Sequence, residues 1–279
     1  MINTNLRSRR QFLGGACAVA VTGMVAACTS TSGQGSPSST TGMEAPATLV
    51  LVHGAWHRPG PTWDLVVDQL RTAGVPAVTV SLPSAGPEGS ARPGLADDIA
   101  AVTQAIDGVG GPVVLVGHSY GGMAVSGAGA HPAVRGLVYL AAFCLAEGQT
   151  VNDIERFDPP ALIATAVKVS PDGLISIDPA LARAVFYADV PDDLANASIA
   201  QLVPSTTAIF STPQGRPAWL DKPSLYVVCD QDQAIPVPRE REMAMHCTRT
   251  TVLTSSHAPF LSMPARVGEL LADEARRNA

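Results

Sequence analysis

The sequence predicts an α/β domain: a mostly parallel sheet with helices on both faces and a lid inserted between two core strands. Three observations carry this. Short apolar runs recur through the body of the chain, as in strands buried on both faces. Between them lie segments whose apolar residues fall at helical spacing. One stretch, residues 147–221, breaks the rhythm with many Pro and Asp and is too long for a plain loop in a compact domain.

The elements follow in order. Thr48-Leu49-Val50-Leu51-Val52 is a β-branched, almost wholly apolar first strand. A helical segment near 63–73 leads to a second strand over 75–82. Leu95, Ile99, Val102 and Ile106 form one stripe of an amphipathic helix, which Gly110-Gly111 stops. Pro112-Val113-Val114-Leu115-Val116 is the third strand, and 134–142 and 224–229 are further ones. A shorter strand covers 250–253. A last helix lies near 265–276, where Arg276 and Arg277 suit the negative end of its dipole. No internal repeat is present.

Composition sets the bounds. The 279 residues suffice for one full-sized core. An apolar share of 46% against 15% charged excludes a disordered chain. A net charge of −6 argues against a sequence-blind grip on nucleic acid, so no nucleic-acid partner is expected. Five Cys without C-x-x-C spacing make neither a disulfide framework nor a zinc site, and no metal or organic cofactor is expected.

Residues 1–27 read as an address rather than structure. Ser8-Arg9-Arg10-Gln11-Phe12-Leu13 resembles a twin-arginine export motif, and an uncharged stretch follows it. Val25-Ala26-Ala27-Cys28 resembles a bacterial lipobox, which implies cleavage before Cys28 and lipidation of its thiol. Residues 28–46 are a polar, flexible tether, and 47–279 the folded domain. Removing residues 1–27 takes away three Arg and no acid, moving the net charge from −6 to −9. Such a body does not favour anionic lipid, so the membrane partner is reached only through the lipid on Cys28. The expected location is the cell envelope.

The sharpest signal is Gly117-His118-Ser119-Tyr120-Gly121-Gly122. It follows the strand ending at Val116 and precedes a small-residue segment, 123–130, that can form a helix. G-x-S-x-G in that setting is a nucleophile elbow: Ser119 sits on a strained strand-to-helix turn, and the glycines keep Cβ atoms out of its close contacts.

A serine hydroxyl needs a base, and the base needs an orienting acid, in the chain order Ser, Asp, His. His257 lies in a loop just past the strand 250–253 and fits the base. His246 precedes that strand and points to the wrong end of the sheet. His131 reads as a solvated surface residue and His53 as a buried, hydrogen-bonded core histidine. Asp230 and Asp232 both follow the strand 224–229; the loop position favours Asp232, leaving Asp230 to cap the turn or the next helix. An oxyanion hole takes two backbone N–H groups, from Tyr120 after the nucleophile and from Ala55 after the first strand, where Gly54 allows a sharp turn.

Together these residues resemble the α/β-hydrolase superfamily, over nearly all of 48–275. Within it the chain is similar to the branch of plant methyl-ester hydrolases, hydroxynitrile lyases and bacterial pyrethroid hydrolases. The resemblance rests on Leu51-Val52-His53-Gly54-Ala55, His57, the elbow, Ala141-Ala142-Phe143, Asp232 with Ile235-Pro236, and Ser256-His257-Ala258-Pro259. It implies a catalytic triad of Ser119, Asp232 and His257, since the family acid precedes its I-P pair by this spacing. Two departures narrow the chemistry. Lyases of this branch carry Lys after the catalytic His, where this chain has Ala258, so the stabiliser of a cyanide leaving group is missing. Dehalogenases and epoxide hydrolases use an Asp nucleophile, which Ser119 replaces.

The expected function is therefore that of an exported serine hydrolase acting on a small-molecule carboxylic ester. The competing expectations are an amide or lactone hydrolase, or a non-catalytic binding lipoprotein on the same fold. Trp56, His57, Phe143, Cys144 and Phe260 are the candidate substrate-binding residues, with Phe186, Tyr187 and Phe210 as further aromatic candidates. A first loop over 56–62, longer than usual for the family and holding Arg58 and Pro59, is expected to reshape the pocket entrance. Cys144 and Cys229 end two strands, and a disulfide between them is one reading.

Overall fold

A computed structural model describes residues 45–155 and 161–279. The leader over 1–27, Cys28 and nearly all of the tether lie outside the described residues.

In chain order the elements are β1 (Thr48–Val52), α1 (Pro59–Thr72), β2 (Ala77–Val80), α2 (Leu95–Val109), β3 (Val113–Ser119), α3 (Gly121–Ala128) and β4 (Val134–Ala142). Next come α4 (Val151–Glu155), α5 (Ile163–Ala166), β5 (Val167–Val169), β6 (Leu174–Ile177), α6 (Pro179–Phe186), α7 (Asp192–Ile199), β7 (Ser205–Thr206) and α8 (Ala208–Ser211). The chain closes with β8 (Ser224–Cys229), α9 (Val237–Ala244), β9 (Arg249–Leu253), α10 (Pro259–Ser262) and α11 (Pro264–Arg277).

Among the described residues β2-β1-β3-β4-β8-β9 form one sheet in that order, with every pairing parallel. The central strands are covered on both faces, which explains their unbroken apolar runs: all seven residues of β3 are buried. Helices α1 and α11 pack together, as do α2 and α3, supplying the two outer layers. Gly110, at φ 68°, ends α2 in the left-handed conformation that the Gly pair predicts.

Two boundaries differ from the sequence reading. The second strand is Ala77–Val80 rather than 75–82, because Pro76 and Pro83 bracket it and supply no N–H to the ladder. The first helix begins at Pro59 rather than near 63, so the expected long loop over 56–62 is mostly the first turn of α1. Prolines there cost nothing, since first-turn N–H groups have no helical acceptor.

Between β4 and β8 the chain builds short helices and an antiparallel sheet, β5-β6-β7. Its backbone is tied over the ends of β1 and β2. Val203 N–H donates to Trp56 O at 2.9 Å, Thr206 N–H to Ser84 O at 3.1 Å and Gly86 N–H to Pro204 O at 2.7 Å. The inserted segment is therefore joined to the sheet rather than draped over it.

Candidate active site

Ser119 is the last residue of β3 and has φ 53°, a left-handed conformation that costs a non-glycine residue energy. The surroundings hold it there. A Cβ on Gly121 would lie 2.6 Å from His53 O, and one on Gly54 would lie 2.7 Å from Ser119 Cβ. Gly54 is thus required by its close approach to Ser119 and not, as its sequence suggested, by a sharp turn. The positive φ in that loop belongs instead to Trp56, at 64°.

His257 follows β9, and its Nδ1 lies 2.5 Å from Oδ2 of Asp232. Both side chains are buried. Nδ1 therefore carries the proton and donates it to the carboxylate, while Nε2 is buried with no hydrogen-bond partner. Asp232 Oδ1 accepts from Ala234 N–H at 2.6 Å and Ile235 N–H at 3.0 Å. Asp230 is turned elsewhere: its Oδ2 meets Thr254 Oγ1 at 3.4 Å, and it caps neither the turn nor α9. The cap expected of the losing aspartate is made by Asp232 itself.

Three further histidines are buried around this pair. His118 Nε2–H donates to His257 O at 2.9 Å, and the two rings stand 4.6 Å apart. His57 Nδ1–H donates to Ala55 O at 2.7 Å, and its Nε2 accepts from Tyr187 OH at 2.9 Å. His53 donates through Nδ1 to Gly54 O and accepts at Nε2 from Leu82 N–H, the structural role its sequence suggested. Burial disfavours the imidazolium in each. It lowers His53 to about 4 and His57 to about 3, and takes His118 well below its ordinary value.

Tyr120 is anchored through its hydroxyl, which donates to Asp98 Oδ2 at 2.7 Å; Asp98 Oδ1 accepts Ser84 N–H at 3.0 Å. Burial raises the pKa of Asp98 and pushes that of Tyr120 further up. Sequence reasoning missed Asp98, although it sits on the apolar stripe of α2 between Leu95 and Val102. A second missed residue, Asp189, holds the loop of His257 by accepting from Ser256 Oγ.

A cramped apolar cavity of about 10 Å³ opens on Ser119, room for about one water molecule. Ala55 and Tyr120 line it, with Trp56, Phe143, Ile163, Phe210, Ala234 and Ile235 as walls. Of the candidate binding residues, Trp56 and Phe143 are therefore beside Ser119. His57, Phe260 and Cys144 are not among the lining residues. The ring of Phe260 packs against His118 at 4.8 Å and Trp63 at 5.7 Å, as core. Cys144 is buried with its Sγ 3.8 Å from that of Cys247, and Cys144, Cys229 and Cys247 are free thiols, so a Cys144–Cys229 disulfide is not formed. His246 stacks on Trp219 at 4.4 Å, and His131 pairs with Asp107 at 3.1 Å. Among the described residues no group of three or more His, Cys, Asp or Glu is arranged to hold a metal ion.

A parallel sheet with a strained serine at the end of its central strand, and a His–Asp pair on loops after the last two strands, defines a class. The chain belongs to the alpha/beta hydrolase family, whose model matches residues 49–270. Among its relatives is an alpha/beta hydrolase of Aspergillus novofumigatus, 30% identical over 245 residues that cover 81% of this chain and 96% of that one. The pyrethroid hydrolase of Sphingobium wenxiniae is 31% identical over 252 residues, covering 81% and 86%. The crystal structure of a pyrethroid hydrolase from Sphingobium faniae superposes with a TM-score of 0.72 at 26% identity, covering 82% and 97%. A methylesterase structure from Arabidopsis shares the fold, with a TM-score of 0.68 at 22% identity, covering 82% and 98%.

Proposed function

We propose that the protein hydrolyses carboxylic esters through an acyl-enzyme on Ser119. His257 takes the serine proton through Nε2 as the hydroxyl attacks the ester carbonyl, and Asp232 stabilises the imidazolium that forms. The N–H groups of Ala55 and Tyr120 hold the oxyanion. His257 returns its proton to the leaving alcohol, then activates the water that frees the acid. The observation that carries this reading is the 2.5 Å contact between His257 Nδ1 and Asp232, which leaves Nε2 without a hydrogen-bond partner, in a chain whose Ser119 ends β3 in a left-handed conformation. The apolar cavity walls suit an uncharged ester. The pyrethroid hydrolase relatives support the same class of reaction.

The test is hydrolysis of p-nitrophenyl butyrate by residues 45–279, with Ser119→Ala beside it and a serine-directed fluorophosphonate as covalent probe. Turnover by the parent, lost in the variant, with the label mapping to Ser119, is the expected result. A folded parent that neither turns over nor takes the label would favour a binding lipoprotein. The leader and Cys28 extend the proposal to export by the twin-arginine route and anchoring at the cell envelope through a lipid. Loss of lipid labelling in Cys28→Ala tests that part.

A further inference from the structure

Glu240 is a buried acid that the triad does not use. It lies in the first turn of α9 and is fully buried. Its Oε2 accepts Cys229 N–H at 3.1 Å, while Oε1 is buried with no donor directed at it. Its side chain meets that of Asp232. Asp232 already accepts Ala234 N–H, Ile235 N–H and His257 Nδ1–H. Two carboxylates sharing a dry site cannot both ionise, and the proton settles on the one with fewer donors. That one is Glu240. The end of a short helix and Arg241 pull the other way, but neither replaces the water lost by the carboxyl. Tyr226 and Cys229 also face the pair, and they bring no positive charge to it. Burial and the neighbouring Asp232 push the Glu240 carboxyl well up.

We propose that Glu240 is a positioning residue for the triad: as a neutral carboxylic acid it donates a hydrogen bond to the Asp232 carboxylate, steadying it against His257 and tempering the basicity that Asp232 confers on the imidazole. This rests on the serine-hydrolase reading above. The sign of its effect separates it from the alternatives. Removing a neutral donor leaves Asp232 more basic, so His257 holds its proton to higher pH and the acid limb of kcat/KM moves up. Removing an ionised glutamate takes a negative charge away from the imidazole, and the limb moves down. A space-filling role moves nothing.

The experiment measures kcat/KM for p-nitrophenyl butyrate against pH in the parent, Glu240→Gln and Glu240→Met. Gln keeps a donor for Asp232 and an acceptor for Cys229 N–H, whereas Met keeps neither. The expected acid limb rises by about half a unit or more in the Met variant and by less in the Gln variant. A downward move in either, or no move in both, overturns the proposal. Infrared difference spectra of parent minus Glu240→Gln at pH 7 give a second readout that survives poor folding of the Met variant. A protonated-carboxyl stretch is expected, from which the Asp98 contribution cancels; its absence overturns the neutral acid. Fluorophosphonate labelling keeps the two readings apart. If parent Ser119 takes no label, the hydrolase reading fails on its own, and the infrared band still decides the state of Glu240.

Discussion

The rings of Trp56 and Phe210 meet at 5.4 Å and 43°, and Phe210 is a wall shared by two spaces. On one side is the cramped cavity at Ser119. On the other is an open cleft of about 420 Å³, lined by Ala164, Val167, Ile175 and Phe210 among others. Trp56 is fixed, since its Nε1–H donates to Ile175 O at 3.2 Å and its N–H to Ser205 Oγ at 2.8 Å. Phe210, in the four-residue helix α8, is the removable part of the wall. Phe210→Ala is expected to join the two spaces. The ratio of kcat/KM for p-nitrophenyl laurate over butyrate should rise about tenfold or more. A chain-length profile identical to the parent's would show that the cleft does not reach Ser119.

The two loop aspartates make opposite predictions. Asp232→Asn removes the acceptor that fixes the tautomer of His257, and kcat is expected to fall by about 10⁴. Asp230→Asn loses a long contact to Thr254 and is expected to stay within about twofold of the parent. Steady-state kinetics on the same ester decides it, and equal losses in both variants would refute the assignment.

What was legible in the sequence follows from how local its causes are. The strands at Val134–Ala142 and Ser224–Cys229 match their apolar runs residue for residue, because burial on both faces writes itself into consecutive positions. The pairing of His257 with Asp232 and the place of Ser119 at the end of β3 were legible because each residue sits at a short offset from a strand end. The pocket was not. Ile163 was missed because it lies on a helix of only four residues within the insertion, too short for a periodic signal. Glu240 and Asp98 look like ordinary charged residues of amphipathic helices. Only the packing shows that both are buried, Asp98 against Tyr120 and Glu240 against Asp232.

Cysteine reactivity should follow the same packing. Cys247 is partly exposed, and the thiol of Cys144 beside it lowers its pKa, while burial pushes those of Cys144 and Cys229 well up. Thiolate is the reactive form. Brief iodoacetamide treatment of the folded protein at pH 8 is expected to label Cys247 first, with Cys144 and Cys229 following only after unfolding. Peptide mapping checks this, and a Cys144–Cys229 linked peptide or early labelling of Cys229 would contradict it.

The buried titratable groups also set how stability depends on pH, and they act in opposite senses. His53, His57 and His118 are neutral when folded, whereas the unfolded chain protonates them near 6.5. Their contribution is complete above 6.5 and is lost as pH falls toward about 4 and about 3, the folded values of His53 and His57. Glu240 is protonated when folded, whereas the unfolded chain ionises it near 4.5. Its contribution is complete below 4.5 and is lost as pH rises toward the raised folded value. Asp98, also raised by burial, acts in the same sense as Glu240. Between 4.5 and 6.5 the three histidines outweigh Glu240 by at most two protons. Acidification then costs up to about 3 kcal/mol per pH unit. Glu240 opposes the histidines, and its contribution falls away as pH rises through its raised folded value. Urea midpoints from pH 4.5 to 8.5 should therefore fall on the acid side of 6.5. Glu240→Gln should flatten the alkaline side and steepen the acid side. A midpoint that holds level on acidification would rule out the neutral histidines, and a variant curve parallel to the parent's throughout would rule out the neutral glutamic acid.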